Sequence, residues 1–396
     1  MAGALDGIRV LDLSRVLAGP YCTMQLGDMG AEVIKIEQPG SGDDTRRWGP
    51  PWAGGESAYY LCANRNKKSV TLNLKDERAR DILRELARQS DIVVENFKVG
   101  ALDRMGIGYE ALSAVKPQLI WCSITGYGQD GPYADHAGYD FVAQGESGLM
   151  SITGEVDGEP MKEGVAVVDI TTALFAANAI LAALHARERT GRGQRIDAAL
   201  MPSAVAWLAN VGSSYLVSGE MPKRYGNAHA TIVPYQTFKA RDQWIIVGVG
   251  NDRQFQALCT MLGIPEIATD ARFATNPQRV EHRDELIALL AEIFVTDDGA
   301  RWLEGMSAAG IPCGPINTID QVMTHPQIEH RGMIVDVPHP TAGSVKVVGP
   351  PFIMSDTPAQ VRSHPPLLGE QTDEILRGRI GLSPDEIARL RDEGAI

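Results

Sequence analysis

Residues 8–37 read IRVLDLSRVLAGPYCTMQLGDMGAEVIKIE, two short β-like runs around a helical pattern. The same alternation continues through SVTLNL, DERARDILRELARQS, DIVVENF and LIWCSIT as far as Thr125. It predicts a largely parallel, doubly wound, Rossmann-like α/β sheet. Between the second and third β runs lies PGSGDDTRRWGPPWAGGES, too rich in Gly, Pro and charge for a regular element. Long loops inside compact domains are usually functional.

Beyond residue 160, the apolar VAVV reads as a strand-like run that meets, at Asp169, a strongly apolar helix ending in basic residues and Gly191. QRIDAAL reads as a further strand and Met201–Ser218 as a second helix. YQTFKARDQWIIVGVG and three helical patterns between 252 and 310 read as a smaller α+β domain. MIVDVPHP and SVKVVGPPF are β runs before a Pro-rich tail and a last short helix, PDEIARLRDEG. The expected organisation is a large α/β domain begun by 1–200, a linker helix at 201–225, a small α+β domain at 226–325, and a return of 326–396 to the large domain.

With 396 residues, 44% hydrophobic and 22% charged, the chain has the composition of a folded globular protein. A formal charge of -13 disfavours a general nucleic-acid surface. Cys22, Cys62, Cys122, Cys259 and Cys313 are odd in number, scattered and without CxxC spacing, as expected of reduced thiols in a cytoplasmic protein without a metal site. No export signal is read at the N-terminus, and the apolar stretches are read as too short for a membrane span, so no membrane partner is expected.

Asp169, read as standing at a strand-to-helix junction, has the position of a cap, and helix-end amides also keep a carboxylate ionised enough to serve as a nucleophile. Arg46, Arg47, Arg65, Lys67, Lys68, Lys75 and Arg104 concentrate positive charge in the first third, several in loops at strand ends, where doubly wound folds bind ligands. ITGYGQDGPYADHAGYD reads as a loop packed at a site, and His136 within it is a lone acid or base candidate. VGVGND, at 247–252, places two glycines at a β-to-helix junction where a substrate could approach the backbone. GxSxG, HExxH and P-loop motifs are absent, which removes the usual support for hydrolase, zinc and nucleotide-triphosphate chemistry.

RVLDLSRVLAGPYCTMQLGDMGAEVIKIEQPGSGDDTR, NRNKKSVTLNLK, VVENFKVGALDRMG, SITGYGQDGP, AGYDFVAQ and GVAVVDITTAL together resemble the class III CoA-transferases, the family of formyl-CoA transferase and carnitine CoA-transferase. The resemblance runs essentially end to end. It implies a homodimer of interlocked rings with active sites between large and small domains. It also implies that Asp169 attacks an acyl-CoA thioester to give an aspartyl anhydride and then an aspartyl-CoA thioester. The large domain would bind CoA through Val16, Ala18, Leu72, Lys75, Asn96, Phe97 and Arg104, with Lys75 and Arg104 at phosphates. CoA would be a substrate, with no tightly bound cofactor.

Leu17 replaces the glutamine of formyl-CoA enzymes, and VGVGND departs from their glycine run, so oxalate-specific chemistry is not expected. Racemases of 2-methylacyl-CoA share the fold and carry His where AGYD has Tyr139; His136 nearby keeps that isomerase as the alternative. DDTRRWGPP, HATIVPYQTFK, GNDRQF, GPINTIDQV and PPLLGEQT resemble the members that handle dicarboxylates, with succinyl-CoA as donor and glutarate as acceptor. A distal carboxylate needs a cation: Arg46 or Arg47 is the first candidate and His229 a weaker one, with Tyr139, Gly248 and Gly250 completing the acceptor side.

Overall fold

The computed structural model describes residues 2–396. Side-chain alternation gives the central strands two apolar faces. Val10, Ile92, Val94, Ile120 and Cys122 enter one buried cluster, and Leu11, Val93 and Trp121 enter another. The strands are β1 (Arg9–Asp12), β2 (Glu32–Glu37), β3 (Lys67–Thr71), β4 (Ile92–Glu95), β5 (Ile120–Thr125) and β6 (Arg195–Ala199). All pair in parallel, in the order β3-β2-β1-β4-β5-β6. This is the order of a doubly wound dinucleotide-type sheet, whose direction of winding reverses between β1 and β4.

Helices α1 (Ala18–Asp28), α2 (Glu77–Gln89), α3 (Asp140–Glu146) and α4 (Val167–Thr190) follow from local signals. Asp76 caps α2 by accepting the Arg78 amide at 2.9 Å. Gly191, at φ 67°, ends α4 in the left-handed conformation. Ala173, Ala176, Ala177 and Ile180 of α4 pack with Cys22 and Leu26 of α1 on the first sheet face. Burying one such Ile contributes about 1.5–3 kcal/mol. Ala79, Leu83 and Leu86 of α2 cover the other face together with Ile387, Leu390 and Ile396 from the end of the chain.

Three details depart from the sequence reading. VAVV is not a strand: Val167 and Val168 belong to the first turn of α4. The helix expected over 201–218 is two, α5 (Leu200–Trp207) and α6 (Ala209–Ser218), broken where Ala209 takes φ 43°. By length and composition α4 is apolar enough to cross a membrane, against the expectation that no stretch is; half of its apolar window is buried inside the protein, as in a core helix.

The chain forms two compact units. One comprises the residues up to Leu149, Glu163–Leu216 and Pro326–Ile396. The other comprises Met150–Lys162 and Val217–His325, so residues 150–162 leave the first segment to join it. This second unit carries an antiparallel sheet of β7 (Tyr235–Lys239), β8 (Trp244–Gly248) and β9 (Cys313–Pro315), with Phe238, Phe255 and Phe294 in its own core.

Much of the predicted basic cluster is consumed beneath the C-terminal edge of the large sheet. Lys67 Nζ donates to Asp12 (3.0 Å), to Asn64 (3.0 Å) and to the Pro20 carbonyl (2.9 Å). Lys35 Nζ donates to Asp43 (2.9 Å) and to the Ser14 carbonyl (2.8 Å). Burial alone would raise the Asp12 carboxyl, but Lys67, Lys35 and two hydroxyls outweigh it and hold it at about 2. At the opposite, N-terminal edge Arg65 is bound to Asp28 at 2.6 Å.

Arg46, the first candidate for a substrate cation, is corrected here. Its guanidinium grips Glu37 through two 2.8 Å bonds and reaches Glu56 at 3.0 Å, Tyr60 Oη at 2.6 Å and the Pro366 carbonyl at 3.0 Å. It also stacks over the Tyr60 ring at 3.7 Å. With its side chain 7% exposed, Arg46 is a structural cation. We expect Arg46→Ala to lower the free energy of urea unfolding by about 3–5 kcal/mol, because Glu37 is left buried without its salt-bridge partner. A loss below about 1 kcal/mol, the worth of an exposed pair, would show that this bond holds nothing together.

Candidate active site

The winding reversal leaves a crevice outside the ends of β1 and β4. The turn after β1 has almost every peptide group tied to a side chain. Ser14 N donates to Asp12 (2.9 Å), and Arg15 exchanges two bonds with the Asn96 amide, at 2.9 and 2.7 Å. Val16 N donates to the Asp43 carboxylate at 3.2 and 3.3 Å. These bonds hold Val16 at φ 71°. That conformation costs a non-glycine residue about 1–3 kcal/mol and hence persists only where its surroundings over-determine it. At Gly19 a Cβ would lie 2.2 Å from that of Ser14, so only glycine lets α1 begin against this turn.

Asp169 reaches the crevice from the other side. After β5 the loop from Gly126 to Gly138 is pinched at its base, where a Cβ on Gly126 would lie 2.6 Å from the Gly138 Cα. The pinch delivers Asp140 to the start of α4. Its Oδ1 accepts the amides of Val168 (2.7 Å) and Asp169 (3.1 Å), and its Oδ2 accepts from Gln144 (2.6 Å). The cap of α4 is therefore Asp140, not Asp169 as position in the sequence suggested. Freed from capping, the half-buried Asp169 carboxyl accepts no hydrogen bond from the described residues. Burial, reinforced by the charge of Asp140, pushes it up to about 7. Such a carboxylate is more basic than usual and is held on a rigid helix, the properties of a nucleophile rather than of an ion-pair partner.

A cavity of about 480 Å³ is lined by Val16, Ala18, Asn96, Phe97, Arg104 and Asp169. This is the size of a small-molecule site. Leu17, His136 and Tyr139 also line it, His136 stacked on Tyr133 with ring centres 4.7 Å apart. Leu72 and Lys75 line a second cavity of about 190 Å³. The two share Arg15 and Phe97, the Arg15 guanidinium lying 5.9 Å over the Phe97 ring. All seven positions expected to meet CoA thus face one of two cavities that meet at a common wall. Lys75, Lys98 and Arg104 are exposed cations along this surface.

Other expected residues lie elsewhere. Arg46 lines neither cavity, and Arg47 is exposed beside Asp44 at 3.6 Å. His229, Gly248 and Gly250 belong to the second unit. There His229 Nδ1 accepts the Thr231 amide at 3.1 Å, Gly248 N donates to the Pro312 carbonyl at 2.8 Å, and Gly250 N donates to Gln254 at 2.8 Å. Three residues were not singled out from the sequence: Asp140, Asp43 and Arg15. The first two stand inside stretches already recognised, AGYD and DDTR, but nothing in one dimension says which helix an Asp will cap or which amide it will hold.

Comparison with known proteins bears on what this crevice does. The family model described as CoA-transferase family III matches residues 5–372. Succinyl-CoA:glutarate CoA-transferase of Mus musculus is 48% identical over 392 residues, 99% of this chain and 88% of the relative. Succinate--glutarate CoA-transferase of Agrobacterium fabrum is 47% identical over 378 residues, 94% of each chain. Among solved structures, a CAIB/BAIF family protein from Brucella suis superposes with a TM-score of 0.86 at 46% identity, covering 96% of this chain and 100% of that one. A doubly wound sheet, a cavity at its winding reversal with an unpaired aspartate, and this end-to-end likeness agree: the chain belongs to CoA-transferase family III, the class III CoA-transferases.

Proposed function

We propose that this enzyme moves CoA from succinyl-CoA to a dicarboxylic acid such as glutarate, with Asp169 as the covalent carrier. The observation that carries the mechanism is the Asp169 carboxylate, raised by burial and by Asp140 and facing the cavity without a protein partner. The acids are suggested by the glutarate transferases to which the chain is similar. The isomerase alternative is not favoured, since Tyr139 stands where the racemases carry histidine.

The carboxylate attacks the thioester carbonyl; the C–S bond breaks, CoA leaves as thiolate, and an aspartyl succinyl anhydride remains. Thiolate then attacks the aspartyl carbonyl, releasing succinate and leaving aspartyl-CoA thioester. Glutarate attacks that thioester, expelling thiolate and forming an aspartyl glutaryl anhydride. Thiolate attacks the glutaryl carbonyl, which frees Asp169 and gives glutaryl-CoA. Each step trades one activated acyl bond for another, so the exchange needs no external energy provided water is kept out. It calls for no resident cofactor, CoA itself being the substrate.

Val16, Ala18, Asn96 and Phe97 are proposed to hold CoA in the larger cavity and Leu72 and Lys75 in the smaller, with Lys75 and Arg104 at phosphates. For the distal carboxylate, Arg15 replaces Arg46, because it lines the cavity of Asp169. A homodimer is part of the reading. α4 leaves Leu174 and Phe175 exposed, and α6 buries no residue, with Leu216 84% exposed. A second copy of the chain is the proposed cover, and a solution mass of one chain in light scattering would reject it. The five free thiols suit a cytoplasmic enzyme.

We expect Asp169→Asn to abolish turnover while leaving CoA affinity within about twofold, because the amide keeps the shape but is no nucleophile. Intact mass after mixing with succinyl-CoA should show an adduct on the unaltered enzyme only. Turnover in fresh mutant, with deamidation excluded by mass, would sink the mechanism. The sign of the stability change follows from the raised carboxyl: its protonated form is favoured by folding, and that stability is lost as pH rises through about 7. Asp169→Asn, which mimics the protonated form, should therefore melt no lower than the wild type at pH 8.

The nucleophile must be ionised, so the rate of adduct formation in single-turnover experiments should fall as pH drops below about 7. A flat rate between pH 5.5 and 8, set roughly around that value, would mean that another group is attacking.

A further inference from the structure

The DDTR stretch is given no role in the chemistry above, yet its first residue sits behind the wall of the larger cavity and lines the smaller one. Asp43 is 1% exposed. Its Oδ1 accepts from Thr45 N (3.0 Å) and Thr45 Oγ1 (2.8 Å), and its Oδ2 from Lys35 Nζ (2.9 Å). Both oxygens also face the Val16 amide, at 3.2 and 3.3 Å. Asp43 N in turn donates to Glu37 at 2.9 Å, which fixes the backbone that presents the carboxylate. Capping the Thr45 turn would need only one oxygen; the other bonds go to Lys35 and to the strained turn.

Three non-glycine residues among those described have positive φ, and of these Val16 alone lines the large cavity. A β-branched residue left to itself goes to the extended region, which would rotate both its amide and its side chain. A charged acceptor on the amide resists that rotation better than a neutral one.

We infer that Asp43 is a positioning residue for acyl-CoA binding: by accepting the Val16 amide it holds that residue left-handed and presents the Val16–Ala18 turn to the entering thioester. Lys35 keeps the buried carboxylate ionised, and Thr45 keeps it aimed. The inference rests on the reading that acyl-CoA occupies the cavity beside Asp169.

The test is steady-state kinetics of Asp43→Asn with succinyl-CoA and glutarate. Loss of the charged acceptor should raise the KM for succinyl-CoA about tenfold or more while kcat and the KM for glutarate stay within about threefold. Adding Val16→Gly to that variant should recover part of the loss, because glycine takes positive φ without an anchor. An unchanged succinyl-CoA KM in Asp43→Asn, losses shared equally by all parameters, or two substitutions whose effects multiply independently would each overturn the inference. If Asp43→Asn does not fold, Thr45→Val removes one donor without disturbing charge and should raise the succinyl-CoA KM alone by about threefold; no rise overturns the inference. A wild-type enzyme that neither binds CoA nor transfers it would overturn the functional reading instead.

Discussion

Six charged side chains buried under the C-terminal edge of the large sheet constrain everything placed above them. Asp12, Glu37 and Asp43 are matched by Lys35, Lys67 and Arg46. Buried charge is tolerated only where each ion has an opposite partner and its remaining donors or acceptors are filled. The filling groups here are backbone carbonyls, those of Ser14, Pro20 and Pro366. The strands therefore do more than form a floor: through Lys35, Lys67 and the Glu37–Arg46 pair they hold the β1–α1 turn, the start of α1 and the C-terminal segment in fixed positions. Lys67 shows the cost of this arrangement. Burial drives its ammonium down to about 8 despite Asp12 beside it, close to the point where the pair would lose its charge.

Asp169 obeys the opposite rule. Where the network gives every charge a partner, the α4 terminus withholds one. The helix amides that would stabilise an ionised Asp169 are occupied by Asp140, which adds negative charge of its own. A single carboxylate thus serves as cap and as electrostatic goad. Placing the proposed nucleophile on a 24-residue core helix and Asp140 at the end of a glycine-pinched loop gives both fixed positions without a direct bond between the two carboxylates.

The crevice lies where fold topology puts it. In a sheet ordered β3-β2-β1-β4-β5-β6, the loops after β1 and β4 diverge to opposite faces and leave a gap that side chains must line. Arg15, Asn96 and Phe97 do so, bonded or stacked on one another across that gap.

The sequence by itself determined the parallel α/β sheet and the separate small α+β unit, and it pointed to Asp169 as the proposed nucleophile. Strand and helix periods are local properties of IRVLDL, EVIKIE and DERARDILRELARQS, and Asp169 stands in a stretch distinctive enough to identify its family. The resemblance to that family also named seven residues that face the two cavities. Tertiary structure alone decided what the charges do. Arg46, Arg65 and Lys67 look like Lys75 and Arg104 in the sequence, but only the folded chain brings Glu37, Asp28 and Asp12 against the first three and leaves the others exposed. The same holds for the aspartates: Asp140 caps a helix 28 residues away and Asp43 holds an amide 27 residues away. Capping and pairing are contests for partners in three dimensions, so a charged residue's role depends on which competitor packs closest, and chain order carries no record of that.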